Sequence, residues 1–308
     1  MELIRGVHNI KLRHKHCALT IGKFDGVHKG HQAVLASLVK RAKQLSVPSV
    51  VMVFEPQPEE VFMPERAPAR LSRLRDKYNA LKSLGIDRLL CLSFSKSFAA
   101  QSPDTFVRDL LIEKLGVKFL VVGDDFKFGH NREGNFEFLK RAAKENNFDV
   151  VSTQSFRMDD CRISSTAIRA ALSEGDFERA NFMLGRPFSV SGKVIHGEKN
   201  GRTIGFPTAN ILLKRHKTPL HGVFAVKVRL GNEYYGGVAN LGSRPTLNGQ
   251  RLQLETHLFN FDQQIYGQRI EVEFYEKLRD EAKFDSFDQL KQKIQDDARQ
   301  ARAILEAN

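Results

Sequence analysis

The densest chemistry in the sequence lies in the string Gly22-Lys23-Phe24-Asp25-Gly26-Val27-His28-Lys29-Gly30-His31, between the apolar run Cys17–Ile21 and a helical pattern over His31–Leu45. Glycines at 22, 26 and 30 let the backbone turn tightly and approach a ligand closely. A helix opening there directs N–H groups and its positive dipole end at an anion. His28 and His31 add two imidazoles that can donate to phosphate oxygens. The combination predicts a polyphosphate site, with Phe24 and Asp25 in the same loop. It is neither a GxxxxGK[ST] loop nor a GxGxxG turn. Zinc binding by the histidine pair has no third ligand nearby and faces a positive local charge.

Ile163-Ser164-Ser165-Thr166-Ala167-Ile168-Arg169 is a second anion-binding candidate. Ser164 or Ser165 can cap a helix, and the hydroxyls together with Arg169 can hold β- and γ-phosphates. Two further segments follow expected strands. Phe54-Glu55-Pro56-Gln57-Pro58 comes after Val50–Val53, and Gly123-Asp124-Asp125-Phe126-Lys127-Phe128-Gly129 after Phe119–Val122. Ligands of open parallel sheets bind at the carboxyl ends of strands, so both are placed to meet one. Phe126 and Phe128 can stack on a flat ring, and Asp124 or Asp125 offers acceptors; the segment Phe54–Pro58 suits the same flat substrate, and core packing is the competing reading for each of these aromatics.

A different chemistry recurs in Gly201-Arg202-Thr203-Ile204-Gly205-Phe206-Pro207-Thr208-Ala209-Asn210. Thr208 and Asn210, two apart on an expected strand, point to one face. Such hard oxygens suit Mg²⁺ carrying ATP phosphates, with Gly205 freeing the backbone beforehand. A plain turn is the competing reading. Glu255, Glu271 and Glu273 are carboxylates on later strands, the last two alternating like a solvent face.

These segments need a scaffold. Short apolar runs Cys17–Ile21, Val50–Phe54, Leu89–Phe94, Phe119–Val122 and Asp149–Thr153 alternate with helical patterns His31–Leu45, Arg73–Leu84, Thr105–Leu115 and Phe136–Asn146. That is the signature of βαβ units and a doubly wound, Rossmann-like parallel sheet. Near Gly185–Pro187 the character changes to strands joined by turns: Phe188–Ile195, Phe206–Leu212, Val223–Leu230, Tyr234–Leu241, Gln253–Phe259 and Arg269–Phe274. Gly231-Asn232 and Asn248-Gly249 mark turns, and an antiparallel β-barrel is expected. A last helix carries a Ser286/Gln289 capping box and an apolar stripe of Phe287, Leu290, Ile294 and Ile304. Two domains are expected, 1–184 and 185–308, in keeping with a length of 308 residues.

The net charge of +12 favours anionic partners, whether nucleic acid, an acidic membrane surface or phosphorylated small molecules. An RNA-binding barrel finds no aromatic-basic RNP-like string and no clustered basic arm. No run approaches the roughly 18 apolar residues of a membrane helix, and the N-terminus has no signal-peptide core, so a cytoplasmic protein is expected. Cys17, Cys91 and Cys161 form no CxxC pair and read as buried, reduced thiols.

Taken together, the motifs resemble a known family. His28-Lys29-Gly30-His31 resembles the HxGH signature of nucleotidyltransferases, and Ile163–Arg169 resembles the ISSTxIR element of the same domain. The Gly123–Gly129 and Phe54–Pro58 segments are similar to those lining the flavin side of prokaryotic FMN adenylyltransferases. Gly205-Phe206-Pro207-Thr208-Ala209-Asn210 resembles the GFPTAN motif of riboflavin kinases, and Gln253-Leu254-Glu255-Thr256-His257-Leu258 their strand with the general base. In family order and over nearly the whole chain, the likeness is to bifunctional bacterial riboflavin kinase/FMN adenylyltransferases. It implies ATP, riboflavin and FMN as small-molecule partners, Mg²⁺ with ATP on Thr208 and Asn210, Glu255 as base, and His28, His31 and Arg169 in adenylyl transfer. It implies no nucleic acid and no membrane partner. Thr256 stands where many relatives carry a β-branched apolar residue. Asp125 stands where some carry Asn. An adenylyltransferase with an inert barrel is the remaining alternative.

Overall fold

A computed structural model of the chain describes residues 1–153, 163–196, 205–213, 217–246 and 249–307. Cys161, the Gly201–Ile204 half of the second glycine-rich string and Asn248 of one expected turn lie outside them. The chain forms two compact units, one of Met1–Pro68 and Arg73–Arg162, the other of Ala69–Ser72 and Ile163–Asn308. The change in strand character at 184/185 is therefore not where the contacts divide, because two helices ahead of it pack with the second unit.

In the first unit, six parallel strands lie in the order β1-β4-β3-β2-β5-β6. They are β1 (Glu2–Arg5), β2 (Cys17–Ile21), β3 (Ser49–Phe54), β4 (Arg88–Leu92), β5 (Val117–Val122) and β6 (Asp149–Ser152). Every residue of β2 is buried, as a strand covered on both faces requires. Cys17, Leu19 and Ile21 feed one apolar cluster and Ala18 the other. Helix α1 (Lys29–Gln44) seals one face with Val34, Leu35, Leu38 and Ala42. Helix α2 (Leu74–Ser83) adds Leu81 to that side. Helix α3 (Phe136–Asn146) contributes Leu139, Ala142 and Ala143 to the other cluster. Strand β1 escaped the sequence reading because only two apolar residues, Leu3 and Ile4, mark it. The expected helix Thr105–Leu115 is instead a turn of helix, Pro103–Thr105, running into a π-helical stretch, Phe106–Lys114.

Strand order places the ligand edge. Successive strands run from β2 through β3 to β4 on one side, and β5 returns to the other side of β2. This reversal opens a crevice beyond the carboxyl ends of β2 and β5. The loops leaving β2, β3 and β5 are Gly22–His28, Phe54–Pro58 and Gly123–Gly129.

The second unit is a closed antiparallel barrel in the order β10-β11-β8-β7-β12-β9. Its strands are β7 (Ser189–Ile195), β8 (Ala209–Leu213), β9 (Gly222–Leu230), β10 (Glu233–Thr246), β11 (Gly249–Leu258) and β12 (Arg269–Arg279). Gly231-Asn232 makes the two-residue β9–β10 turn, with Gly231 at φ 62°. Ile211, Phe224, Val226, Leu254 and Phe274 fill the interior, joined by apolar residues of α4 (Ser165–Glu174) and α5 (Phe177–Leu184).

Helix α6 (Phe287–Ala307) lies on the outer face of the barrel, packing Ala301 and Leu305 against Ala225, Val238 and Phe259. Asp297, also on that face, receives a forked set of bonds from Arg279 at 2.7–3.0 Å. Of the expected stripe, Leu290 and Ile294 are partly buried and Ile304 joins the packed face, whereas Phe287, in the first turn, is 70% exposed. Ser286 caps the Gln289 N–H at 3.2 Å, but the Gln289 side chain reaches back to Asp285 rather than to the cap residue.

Candidate active sites

The loop after β2 is wound against its residues' preferences. Phe24, Gly26 and Val27 have φ of 46°, 81° and 44°, a region costly for a β-branched side chain. Burial of Phe24, Asp25 and Val27 holds them there. A Cβ at Gly22 would press on the Phe24 ring at 3.0 Å, which accounts for that glycine.

Helix α1 begins at Lys29, two residues earlier than expected, and His28 is its N-cap. His28 Nδ1 accepts the His31 N–H at 3.3 Å, so the N–H of His31 is already engaged. Because Nδ1 accepts, the neutral His28 ring carries its proton on Nε2. The His28 and His31 rings stack at 3.6 Å between centroids, and Phe24 packs on His31 at 5.0 Å. His31 Nδ1 is sealed and without a hydrogen-bond partner.

Burial, then the positive fields of His28 and Lys77, hold His31 well below the usual histidine range. The ligand-free pair is therefore kept from doubly protonating, and an arriving polyphosphate would favour the charged forms. Lys77 is a fully buried cation on α2 that sequence reasoning missed. Its signal was a Lys one turn ahead of Leu81 on the apolar side of the helix. The Gly30 position falls in the first turn of α1.

On the flavin-side loops the structure separates residues read together. Phe128 is buried in the core against Phe106 and Phe138, whereas Phe126 is partly exposed and stacks on it at 5.5 Å. Asp124 and Asp125 are exposed, and Asp124 accepts a bond from Ser152. Phe54 sits at the end of β3 within 5.5 Å of both Phe94 and Phe98, and Phe62 extends the group toward solvent. Pro56 is exposed and Pro58 opens a short helix, Pro58–Phe62. Phe62, Phe94 and Phe98 were not singled out from sequence, since Phe62 follows β3 and the other two follow β4, away from the quoted motifs.

In the second unit, Ser164 caps α4, its Oγ accepting the Ala167 N–H at 3.2 Å. Ser165 and Thr166 occupy the first helical positions, and Arg169 Nε donates to the Ala69 carbonyl.

Strand β8 starts at Ala209, so Thr208 lies just before it rather than on it, with Gly205 at φ 85° further upstream. The two side chains still converge: Asn210 Nδ2 donates to the Thr208 carbonyl at 3.2 Å and to its hydroxyl at 3.4 Å. Asn210 Oδ1 accepts from Gln253 at 2.6 Å, and Gln253 also reaches Glu255 at 3.4 Å.

Along β11 the burial alternates, with Leu254 and Thr256 inside and Gln253, Glu255 and His257 outside. Asn210 and Glu255 are direct cross-strand partners, so their side chains share the outer face. The rival carboxylates sit on β12, three strands round the closed barrel. Burial raises the Glu271 pKa, but bonds from Ser189 and Arg229 outweigh it and hold the group below its ordinary value. Burial and Glu271 push Glu273 up. A cavity of about 870 Å³ next to Glu273, lined also by Lys227, Tyr275 and Arg302, includes none of Thr208, Asn210 or Glu255.

His257 anchors the Thr208 segment. Its Nδ1 meets the Pro207 carbonyl at 2.9 Å, so that nitrogen carries the proton, and its ring packs edge-on against Phe206. Burial lowers its pKa, and the Arg302 charge acts in the same sense. The unfolded chain therefore binds the proton more readily. This stabilisation is full above about 6.5 and is lost as pH falls below it toward the folded value. His31 acts in the same direction. Thermal melts between pH 7.5 and 5.5 are expected to show a falling Tm, with a smaller fall in His257→Gln.

Burial raises the Cys17 thiol to about 12, which leaves no thiolate near neutral pH. Among the described residues no three His, Cys, Asp or Glu side chains are grouped to hold a metal. No helix among them is long and apolar enough to cross a membrane.

A doubly wound sheet with a glycine- and histidine-bearing loop at its switch point is the frame of a nucleotidyltransferase-type unit. A closed barrel with Asn210 and Glu255 on one outer face, and Thr208 bonded to Asn210 just ahead of the strand, is the frame of a second, kinase-type unit. Comparison with known proteins agrees with both. Family models described as FAD synthetase and riboflavin kinase match residues 10–167 and 184–305. The bifunctional riboflavin kinase/FMN adenylyltransferase of Haemophilus influenzae is 53% identical over 306 residues, covering 99% of each chain. That of Escherichia coli K12 is 49% identical over 307 residues, 99% of this chain and 98% of the relative. A solved structure described as a macrolide-efflux protein from Streptococcus pneumoniae aligns with a TM-score of 0.77 at 31% identity, over 96% of this chain and 97% of that one. The chain belongs to the bifunctional riboflavin kinase/FMN adenylyltransferase family.

Proposed function

We propose that the barrel phosphorylates riboflavin with ATP to FMN and ADP, and that the α/β part then transfers an adenylyl group from ATP to FMN, giving FAD and pyrophosphate. The two activities follow the two family matches. We assign the second to a functional domain of residues 1–184 and the first to 185–308. The observation that carries the kinase reading is that Asn210 and Glu255 share an outer face of the barrel, with Thr208 bonded to Asn210.

Glu255 accepts the proton of the ribityl 5′-hydroxyl as its oxygen attacks the γ-phosphorus and ADP leaves. Thr208 and Asn210 hold the Mg–ATP. Their neutral oxygens fit a cation that keeps most of its ligands from phosphates and water, and the second lone pair of Asn210 Oδ1 remains for it. Gly205 lets the backbone pass close to the phosphates.

In the second reaction the FMN phosphate attacks the α-phosphorus in line and pyrophosphate departs. His28, through Nε2–H, and His31 donate to phosphate oxygens as charge develops, and the loop Gly22–Gly30 with Phe24 and Asp25 positions them. Ser164, Ser165, Thr166 and Arg169 carry the ATP phosphates by resemblance. Phe54, Pro56, Pro58, Asp124, Asp125 and Phe126 form the flavin side, with Phe128 behind Phe126. A cytoplasmic setting fits the substrates. The purified chain with riboflavin and Mg–ATP is expected to yield FMN and then FAD. FAD only from supplied FMN would leave the barrel without its assigned reaction.

A further inference from the structure

Glu255 is flanked on both sides by asparagines at the same level of the barrel. Asn210 is its cross-strand partner on β8, and Asn240 is its partner on β10. Direct partners share a face, so Asn210, Glu255 and Asn240 form one row across three strands. The two amides are differently committed. Asn210 is tied to Thr208 and Gln253. Asn240 donates through Nδ2 to Glu281 Oε1 at 3.1 Å, which fixes the amide orientation because a carboxylate oxygen accepts only.

That orientation leaves Asn240 Oδ1 buried with no hydrogen-bond partner. Gly242, next on the same face of β10, makes room for this arrangement: a Cβ there would collide with the Glu281 carboxylate. The orphaned acceptor is a cost of the ligand-free state, recovered when a donor reaches it. The segment bearing Glu281 is exposed and lacks regular structure, and its bond to Asn240 is at Nδ2, so it does not occupy Oδ1.

In-line phosphoryl transfer holds the acceptor hydroxyl against the γ-phosphorus, opposite the leaving ADP and within reach of the base, so the rest of the acceptor extends past the base on the side away from ATP. With ATP at Thr208 and Asn210, that side is β10. We infer that Asn240 is a specificity-determining residue of the kinase reaction, its Oδ1 accepting a hydrogen bond from a hydroxyl of the polyhydroxylated side chain of the flavin. The inference rests on the assignment of the kinase site to the Asn210–Glu255 face.

The test is steady-state kinetics of the full chain carrying Asn240→Leu, which keeps the volume and removes the acceptor, beside Asn240→Ala. For both variants the KM for riboflavin is expected to rise about five- to tenfold, the loss of one neutral hydrogen bond. The KM for ATP and the conversion of supplied FMN to FAD should stay at the wild-type level. Asn240→Leu should melt no lower than wild type, since it removes an unpaired buried oxygen, whereas a residue needed only to brace Glu281 would lower Tm. An unchanged KM for riboflavin, or an equal rise in both KM values, overturns the inference. Absence of FMN formation by the wild-type chain would instead remove the kinase reading beneath it.

Discussion

Replacing Glu255 with Gln is expected to lower the rate of FMN formation about 10²–10⁴-fold while leaving conversion of supplied FMN to FAD unchanged. Gln is close to isosteric and keeps a carbonyl oxygen for the Gln253 contact at 3.4 Å, so the barrel should fold as before. What it lacks is a basic oxygen beside the attacking hydroxyl. The opposed carboxylates Glu271 and Glu273 stand three strands away and cannot substitute for it. The corresponding glutamine changes at those two positions should leave the kinase step near wild type. Product analysis at saturating riboflavin and ATP decides the matter, and full FMN formation by the Glu255 variant would remove its role as base.

The second large effect concerns the histidine pair. His28→Asn and His31→Ala should each lower FAD formation from FMN by about 10²–10³-fold, the usual loss for one preorganised donor to a developing oxyanion. FMN formation from riboflavin should be spared. Asn at position 28 is chosen because His28 is also the N-cap of α1. Asn preserves a capping acceptor while removing Nε2–H, so catalysis and helix stability are separated. His28→Ala would remove both and lower Tm besides. Equal loss of both reactions in His28→Asn, with an unchanged melt, would contradict separate sites.

The sequence revealed most where chemistry is contiguous in the chain. The Gly22–His31 loop, the Thr208–Asn210 pair and the strands β2, β3 and β5 are local patterns, and the apolar runs place those strands to within a few residues. What escaped depends on closure of the sheet or barrel. Asn240 comes beside Glu255 only through strand register, and Glu281 reaches Asn240 only through the return of the chain after β12. Phe94 and Phe98 join Phe54 and Phe62 from the connection after β4, and Lys77 comes to the His31 side from another helix. The His28 cap was also hidden, since histidine is not among the residues that ordinarily signal a helix start. Phe128 shows the converse. Its spacing after β5 allowed a ligand contact or a core position, and packing against Phe106 and Phe138 gives it the core position, behind Phe126.

The most direct measurement follows label from ATP into flavin. The purified chain is incubated with riboflavin, Mg²⁺ and ATP labelled at either the γ- or the α-phosphorus, and the flavins are separated. Two sequential transfers predict γ-label in FMN, α-label absent from FMN, and both labels in FAD. Alpha label in FMN, or FAD carrying neither label, would contradict a kinase and an adenylyltransferase acting in turn on one chain.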